Sequence, residues 1–378
     1  MSGRPGPRAA GPDRPVSRRL RRWLMAAGGA LGLAAVGVAA ACLLGGCGTL
    51  AYYGQAVGGH LDLVARARPV TSWLDDAATP PDLRARLELA QRMRDFAVAT
   101  LKLPDNRSYR RYADLGRGAV VYNVVAAPEL SLDLKSWCFA VVGCVGYRGY
   151  FAREPADALA AELRAQGWET AVYGVPAYST LGKTEWLGGD PLLSTFIRWP
   201  EGELARLIFH ELAHQVAYAD DDTAFNESFA TAVERIGGRL WLERHGSAAA
   251  RAEHEALDAR RADFRALVAG YRGSLAALFS SGLPESDKRA RKAALIEAMR
   301  QEHARIKAER WGGFGGYDGW FERANNAALA IQGSYNDLVP QFERLFERSG
   351  RDFERFYAEV RVLAALPKAE RRAKLGAP

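Results

Sequence analysis

Residues 207–215 have the side-chain types and the spacing that hydrolytic chemistry needs. They contain His210, Glu211 and His214 in the order His-Glu-x-x-His, and these two histidines are among only six in the chain of 378 residues. Apolar residues around the motif recur with helical periodicity, and side chains four apart on a helix project from one face. Both imidazoles could therefore bind one ion, while Glu211 acts on water at that ion. The motif predicts a site for one Zn²⁺ per chain; the alternative is a helix with two surface histidines.

A catalytic zinc site takes three protein ligands and keeps one position for water. The nearest candidate for the third ligand is Glu227, on a second helix that we expect to run from Thr223 to Ile236 and to end at Gly237 and Gly238. Glu234 follows seven residues later on the same face and competes for this position. The alternative for Glu227 is a helical carboxylate that faces solvent.

The order of secondary-structure signals predicts an α+β fold that is predominantly helical. A helix is expected over residues 82–102. Strand-like runs follow at residues 119–125, 137–142, 147–151 and 169–173, with a helix over residues 155–166. After residue 238 the pattern is helical, over residues 248–278, 286–311, 320–332 and 338–366, with Gly282 and Pro284 separating the first two. We therefore expect a single catalytic unit over residues 47–376, with a mixed α/β part at 60–200 and a helical part at 201–376 that carries the zinc site.

Several blocks of the sequence resemble those of the bacterial family described as putative aminopeptidases. They lie at residues 137–139, 143–144, 147–151, 177–182, 190–191, 208–215, 222–230 and 325–327. The resemblance extends from Cys47 to about residue 360. The order of Asn226, Glu227 and Ser228 after the histidine motif is also similar to the gluzincin pattern, in which a glutamate from the following helix completes the zinc site. The separation between His214 and Glu227 is shorter than in the larger gluzincin aminopeptidases.

The resemblance implies a peptide substrate and a zincin-like fold, with a small sheet ahead of the His-Glu-x-x-His helix. In zincins the substrate adds as a strand to the sheet edge near the metal. Residues 177–182 are the candidate edge here, with Thr180, Leu181 and Gly182 expected to bind the substrate. An ordinary core strand is the alternative for this segment. Glu185 or Asp190 would bind the free ammonium group that an aminopeptidase recognises.

Gluzincins also supply a Tyr or His that donates a hydrogen bond to the oxyanion. Tyr335 is the first choice for this role and Tyr317 the second. Thr231, one turn after Glu227, is expected to hold a histidine by a hydrogen bond. The same zinc chemistry would serve an endopeptidase of the cell envelope, and a non-catalytic envelope lipoprotein with a structural or vestigial metal site is the third possibility.

The first 46 residues resemble a bacterial lipoprotein signal peptide. Four arginines precede an apolar run at residues 23–44, and Leu44-Gly45-Gly46-Cys47 resembles a lipobox, with lipid on Cys47. This predicts a membrane-anchored protein of the cell envelope, and Gly48 after the cysteine favours the outer membrane. The alternative is that residues 23–44 are retained as a membrane anchor.

Charge and cysteine content limit the remaining possibilities. Residues 1–46 hold seven of the 51 Lys and Arg and one of the 44 Asp and Glu, so the remainder has 44 positive and 43 negative side chains. No basic stripe interleaved with aromatic residues is present, and we expect no nucleic-acid partner. An oxidising compartment allows a disulfide between Cys138 and Cys144; two buried thiols are the alternative.

Overall fold

The structure is a computed structural model that describes residues 47–139, 143–177, 188–220, 222–333 and 338–376. The chain divides into two compact units, one that ends at Gly58 and one that begins at Gly59. Helix α1 (Cys47–Arg66) begins in the first unit. All elements after α1 belong to the second unit. Within the described residues, every helix is too short or too polar to cross a bilayer.

The part of the chain before residue 200 mixes strands and helices. Its elements after α1 are β1 (Arg68–Pro69), α2 (Val70–Asp75), α3 (Pro81–Ala99), β2 (Arg111–Ala113), β3 (Val121–Pro128), β4 (Trp137–Phe139), β5 (Gly143–Val145), β6 (Arg148–Tyr150), α4 (Arg153–Ala165), β7 (Trp168–Val175) and β8 (Leu192–Leu193). The described chain is then helical, with α5 (Glu201–Ala213), α6 (Thr223–His245), α7 (Ala248–Ser280), α8 (Glu285–Glu309), α9 (Asp318–Glu322), α10 (Asn326–Ile331), α11 (Val339–Arg348), α12 (Phe353–Ala364) and α13 (Lys368–Gly376). The prediction of a mainly helical α+β fold with small sheets is confirmed.

Three small sheets precede the helical part among the described residues. In the first, β3 lies between β6 and β7 and pairs with both in antiparallel fashion, with Val124 opposite Val172. In the second, β2 pairs antiparallel with β1 and parallel with β8. In the third, β4 and β5 form a hairpin in which Cys138 and Cys144 are opposite each other and joined by a disulfide. Of the expected strand at residues 137–142, Trp137–Phe139 form β4, and residues 140–142 lie outside the described part.

Helices α5 and α6 pack against each other in antiparallel directions. The prediction that Gly237 and Gly238 end the second helix is wrong, because α6 continues to His245. The two glycines instead permit close approach of the helices. A Cβ on Gly237 would lie 2.9 Å from the Phe209 ring, and one on Gly238 would lie 2.7 Å from Arg206 Cγ. The glycines thus set the distance between the two helices rather than a helix end.

Helices α7 and α8 form the expected helical pair, separated at residues 281–284. Two stretches expected to be continuous helices are interrupted. Residues 323–325 separate α9 from α10, and Asn325 caps α10 by accepting a hydrogen bond from Ala328 N. Gly350 and Arg351 adopt left-handed backbone angles, with φ of +72° and +57°, and thereby end α11 before α12 begins.

Asn326 of α10 forms hydrogen bonds that connect the helical part to the sheet of β3, β6 and β7. Its side-chain amide donates to the backbone carbonyls of Pro128, Glu129 and Ser131 at 2.7–3.0 Å, just beyond the end of β3. Its backbone N–H donates to Glu169 Oε2 of β7. These four bonds hold α10 against two strands that are more than 150 residues distant in the sequence.

Candidate metal centre

Helix α5 presents both histidines of the motif on one face. The helix ends at Ala213, but His214 keeps a helical backbone conformation and its N–H donates to the carbonyl of His210 at 3.3 Å. The two rings therefore remain one turn apart, with their Nε2 atoms 3.2 Å from each other. His214 is 7 % exposed, so this face is turned into the protein.

Glu227 of α6 lies opposite these two nitrogens. Its Oε2 is 3.5 Å from His210 Nε2, and its Oε1 is 3.8 Å from His214 Nε2. One ligand atom from each of the three residues lies within 4.8 Å of the other two. Tetrahedral zinc with bonds of about 2.05 Å holds its ligand atoms about 3.3 Å apart. The spacing of the three donors therefore fits a zinc ion without rearrangement of either helix.

Glu234 contacts the far side of His210. Its Oε2 is 2.8 Å from Nδ1, the ring nitrogen that faces away from His214 and Glu227. An ionised carboxylate there accepts the Nδ1 proton and leaves the Nε2 lone pair available to a metal. The structure thus assigns Glu227 to the triangle of donors and Glu234 to the orientation of His210.

A buried arginine links Glu234 to the next layer of the protein. Arg206, which is 5 % exposed, donates from Nε and Nη2 to Glu234 Oε1 at 3.0 and 2.6 Å. Its Nη1 donates to Asp258 of α7 at 2.8 Å. Sequence reasoning missed this residue, although an arginine one turn before His210 in an apolar stretch was the available signal.

The electrostatics of the cluster favour a cation. Burial alone would lower the pKa of His210, but hydrogen bonds to Glu227 and Glu234 outweigh it and raise the pKa well above its ordinary value. Burial and the adjacent His210 lower the pKa of His214 to about 4. Burial raises the pKa of Glu234, yet its bonds to His210 and Arg206 prevail and bring it to about 2. At neutral pH and with no metal bound, the cluster therefore holds a protonated His210 and a neutral His214 among ionised carboxylates. A divalent cation at Nε2 would take the place of the His210 proton.

Two polar residues shape the turn that brings Glu227 back to the histidines. Asn226 donates to the carbonyl of Ala219 and accepts from its N–H, both at 2.8 Å. Asp222 caps α6 by accepting from Phe225 N at 3.1 Å. The same carboxylate, 1 % exposed, forms ion pairs with Arg371 and Arg372 of α13 at 3.0 and 2.5 Å. The end of the chain therefore helps to fix the start of the helix that carries Glu227.

Glu211 lies beside His210 on α5, partly buried. Its negative charge acts on Tyr109. Burial raises the pKa of Tyr109 well above its ordinary value, and the negative charges of Glu211 and Asp190 raise it further. Tyr109 has a left-handed backbone conformation, with φ of +64°, and its N–H donates to the carbonyl of Asp190 at 2.6 Å. A left-handed, fully buried tyrosine next to the motif could not be recognised from the sequence.

The loop that carries Tyr109 is also tied to the end of the motif. Gln215, the residue after His214, accepts a hydrogen bond from Asn106 and donates one to Ser108 Oγ. This places residues 106–109 against the C-terminal end of α5.

Some of the remaining candidates lie within the described residues and others lie outside them. Thr180, Leu181 and Gly182 of the candidate edge lie outside the described residues, as do Glu185 and Tyr335. Tyr317 is described and stacks on Phe264, with ring centroids 4.4 Å apart. Asp190 is buried, with its backbone bonded to the loop at Ser108 and Tyr109. Thr231 is buried, and no hydrogen bond joins it to a histidine in the described part of the chain; Glu234 holds His210 instead.

The fold and this centre define a mainly helical α+β protein with two histidines and one glutamate in position for a metal. A family model described as "Putative aminopeptidase" matches residues 51–375. The match covers most of the chain, and the chain belongs to this family. Comparison with curated proteins and with solved structures gives no match.

Proposed function

We propose that this protein is a zinc-dependent peptide hydrolase, specifically an aminopeptidase. The observation that carries the proposal is the triangle of His210, His214 and Glu227, with donor atoms at the spacing of a zinc site and Glu211 on the same helix. Membership of the aminopeptidase family supports a peptide as the substrate. Zinc bound to these three residues would supply a Lewis acid that polarises a carbonyl group and lowers the pKa of water.

Glu211 is the general base and then the general acid in this proposal. Its carboxylate takes a proton from the water that attacks the scissile carbonyl carbon. It then gives the proton to the amine nitrogen as the carbon–nitrogen bond breaks. The rigid helix α5 holds Glu211 directly next to a metal ligand, so that both steps need little rearrangement of the protein.

Other residues orient the metal ligands and the substrate. Glu234 keeps the proton of His210 on Nδ1, and Arg206 keeps Glu234 ionised. We retain Tyr335 as the proposed oxyanion donor and Glu185 or Asp190 as partners of the substrate ammonium group. Thr180, Leu181 and Gly182 are the proposed edge that binds the peptide backbone.

We also propose that Cys47 anchors the protein by lipid in the bacterial cell envelope, facing the periplasm or the exterior. The support is the basic segment, the apolar run and the lipobox-like Leu44-Gly45-Gly46-Cys47 of the sequence. Mass spectrometry of the membrane fraction would show a lipid-modified Cys47 as the first residue; an uncleaved chain would reject it.

The test is a peptide-library digest with purified full chain, Glu211→Gln and the matched control Glu243→Gln, which alters an exposed glutamate of α6. We expect about one zinc per chain in all three proteins. Turnover should fall about 100- to 10,000-fold in Glu211→Gln, because the general base is lost, and stay unchanged in Glu243→Gln. A chelator should abolish activity, and cleavage should occur only at free amino ends.

Each other outcome rejects part of the proposal. Internal cuts would make the protein an endopeptidase. Zinc without cleavage of any peptide would indicate a structural or vestigial site. Unchanged turnover in Glu211→Gln would exclude the mechanism.

A further inference from the structure

A cavity of about 370 Å³ adjoins the candidate metal centre. Glu234 and Thr231 of α6 and Leu207 of α5 form the wall nearest the centre. Glu234 is also the residue that bonds to His210 Nδ1, and Leu207 lies one turn before His210. The cavity and the metal centre therefore share a wall of α5 and α6.

The lining of the cavity has an excess of positive charge. Four guanidinium groups face two carboxylates, Glu203 and Glu234. Two of the arginines are paired: Arg206 with Glu234 and Asp258, and Arg261 with Glu203 and Asp258. Arg206 and Arg261 thus share three carboxylates, and the net positive charge of the group lies on the remaining two arginines.

Those two are Arg235 of α6 and Arg265 of α7. Both are only partly exposed, and neither forms a hydrogen bond or ion pair with any described residue. Burial, together with the positive charges of Arg235 and Arg261, lowers the pKa of Arg265. The nearby carboxylate of Asp258 opposes this shift, but Arg206 and Arg261 already bind it. Four arginines against three carboxylates leave an excess positive charge in a partly desolvated cavity, and an anion would relieve this cost.

The aromatic part of the lining indicates an organic anion. Phe264 and Tyr317 are stacked there, and Trp199 also lines the cavity. Aromatic side chains bury apolar parts of a ligand, while paired arginines bind a planar carboxylate in a bidentate manner. A peptide end has both parts, an apolar side chain and a carboxylate.

We propose that this cavity binds the terminal carboxylate of a short peptide substrate through Arg235 and Arg265. The inference rests on the proposed peptidase function and assigns its substrate class. The carboxyl terminus of a peptide always lies on the leaving-amine side of the scissile bond, so the cavity receives the leaving portion.

The dimensions of α6 limit the length of that portion. Arg235 follows Glu227 by eight residues, a rise of about 12 Å along a helix. An extended peptide covers about 3.3–3.6 Å per residue, so about three residues fill this distance, and fewer where the arginine reaches back towards the metal. The preferred substrates are therefore di- to tetrapeptides with a free carboxylate.

The test compares matched tripeptides that end in a free carboxylate or in an amide. For the wild type, kcat/KM should be about 10- to 100-fold higher with the free acid, as expected for charge-assisted hydrogen bonds to one carboxylate. The ratio should fall to within a factor of about three in the Arg235→Gln, Arg265→Gln double variant, and each single variant should be intermediate. Arg239→Gln removes the same charge one turn further along α6, where the side chain is 55 % exposed, and should keep the ratio.

A binding measurement separates this inference from the peptidase function. Calorimetric titration of Glu211→Gln with the same tripeptides should show the acid binding at least about tenfold more tightly than the amide. Equal cleavage of acid and amide would overturn the inference and leave the peptidase function intact. Absence of cleavage with a preserved, arginine-dependent preference in binding would overturn the peptidase function alone.

The source of the carboxylate is tested with amidated peptides that end in Glu or Gln. If the amidated peptide ending in Glu is preferred over the one ending in Gln, and a free terminal carboxylate gives no preference, the cavity binds an acidic side chain. This result would overturn the proposal that it binds the terminal carboxylate. If the double variant does not fold, the ratios of kcat/KM for the free-acid and amidated tripeptides in the wild type and the single variants test the role of the two arginines.

Discussion

At the scale of single residues, Glu234 determines which nitrogen of His210 faces the other donors. The sequence identified His210, Glu211 and His214 because their geometry depends only on local helix periodicity. It left Glu227 and Glu234 in competition, since both lie on one face of α6. Only the packing of α5 against α6, which Gly237 and Gly238 allow to be close, places Glu227 on the Nε2 side and Glu234 on the Nδ1 side.

Glu234→Gln should weaken zinc binding about 10- to 100-fold, because a neutral amide replaces the ionised acceptor of the His210 proton. Competition with a chromogenic chelator measures the affinity. Glu243→Gln is the matched control and should bind zinc as the wild type does. Equal affinity in the two variants would show that Glu234 does not support the metal site.

At the scale of elements, the close packing of α5 and α6 depends on Gly237 and Gly238, which the sequence pattern predicts to end a helix. A pair of glycines is a common signal for a helix end, and it misled the prediction here. A Cβ on Gly237 would lie 2.6 Å from Leu101 and 2.9 Å from Phe209, a contact that only tertiary structure reveals.

Gly237→Ala should destabilise the protein by about 1–3 kcal/mol, because the added methyl group overpacks this interface. Gly270→Ala is the matched control: it lies in α7 with nothing within 4 Å of the added Cβ. It should stabilise the protein by up to about 1 kcal/mol through higher helix propensity. Urea denaturation measures both, and equal effects would contradict the packing role of Gly237.

The start of α6 depends on a buried ion pair with the last helix. Burial raises the pKa of Asp222, but hydrogen bonds from Arg372, Phe225 N and Arg371 outweigh it and hold the pKa below its ordinary value. The stability that this carboxylate contributes is therefore present above its unfolded pKa. It is lost as the pH falls through the lower folded pKa.

Asp222→Asn keeps a helix cap but removes the charge opposite Arg371, and should cost about 3–5 kcal/mol of unfolding free energy at pH 7. The difference from the wild type should narrow only below about pH 4. Asp352→Asn, at the exposed cap of α12, should change stability by less than about 0.5 kcal/mol. Urea denaturation at several pH values measures these differences; a constant difference down to pH 2 would contradict the assignment.

At the scale of the whole molecule, the fold class was predictable because it follows from the order of apolar periodicities. The connections between parts were not predictable. Strands β1, β2 and β8 have only two or three residues each, which is too few for a periodic signal. The bonds from Asn326 to the end of β3 span almost 200 residues, and nothing local in the sequence indicates them.

The cavity beside the candidate metal centre was likewise not predictable from the local sequence. Arg235 and Arg265 look like ordinary solvated charges on two charge-rich helices. Their position becomes apparent only when α6 and α7 are placed side by side with Phe264 and Tyr317. The chemistry of the motif is thus local, whereas the proposed recognition of a substrate carboxylate depends on how distant helices pack.

The most direct test of the metal centre is anomalous diffraction at the zinc edge from crystals of the protein grown with zinc. We expect a single strong peak per chain, bonded to His210 Nε2, His214 Nε2 and a carboxylate oxygen of Glu227 at about 2.0–2.2 Å. A map with no peak among these three residues, or with the zinc bound elsewhere, would contradict the account.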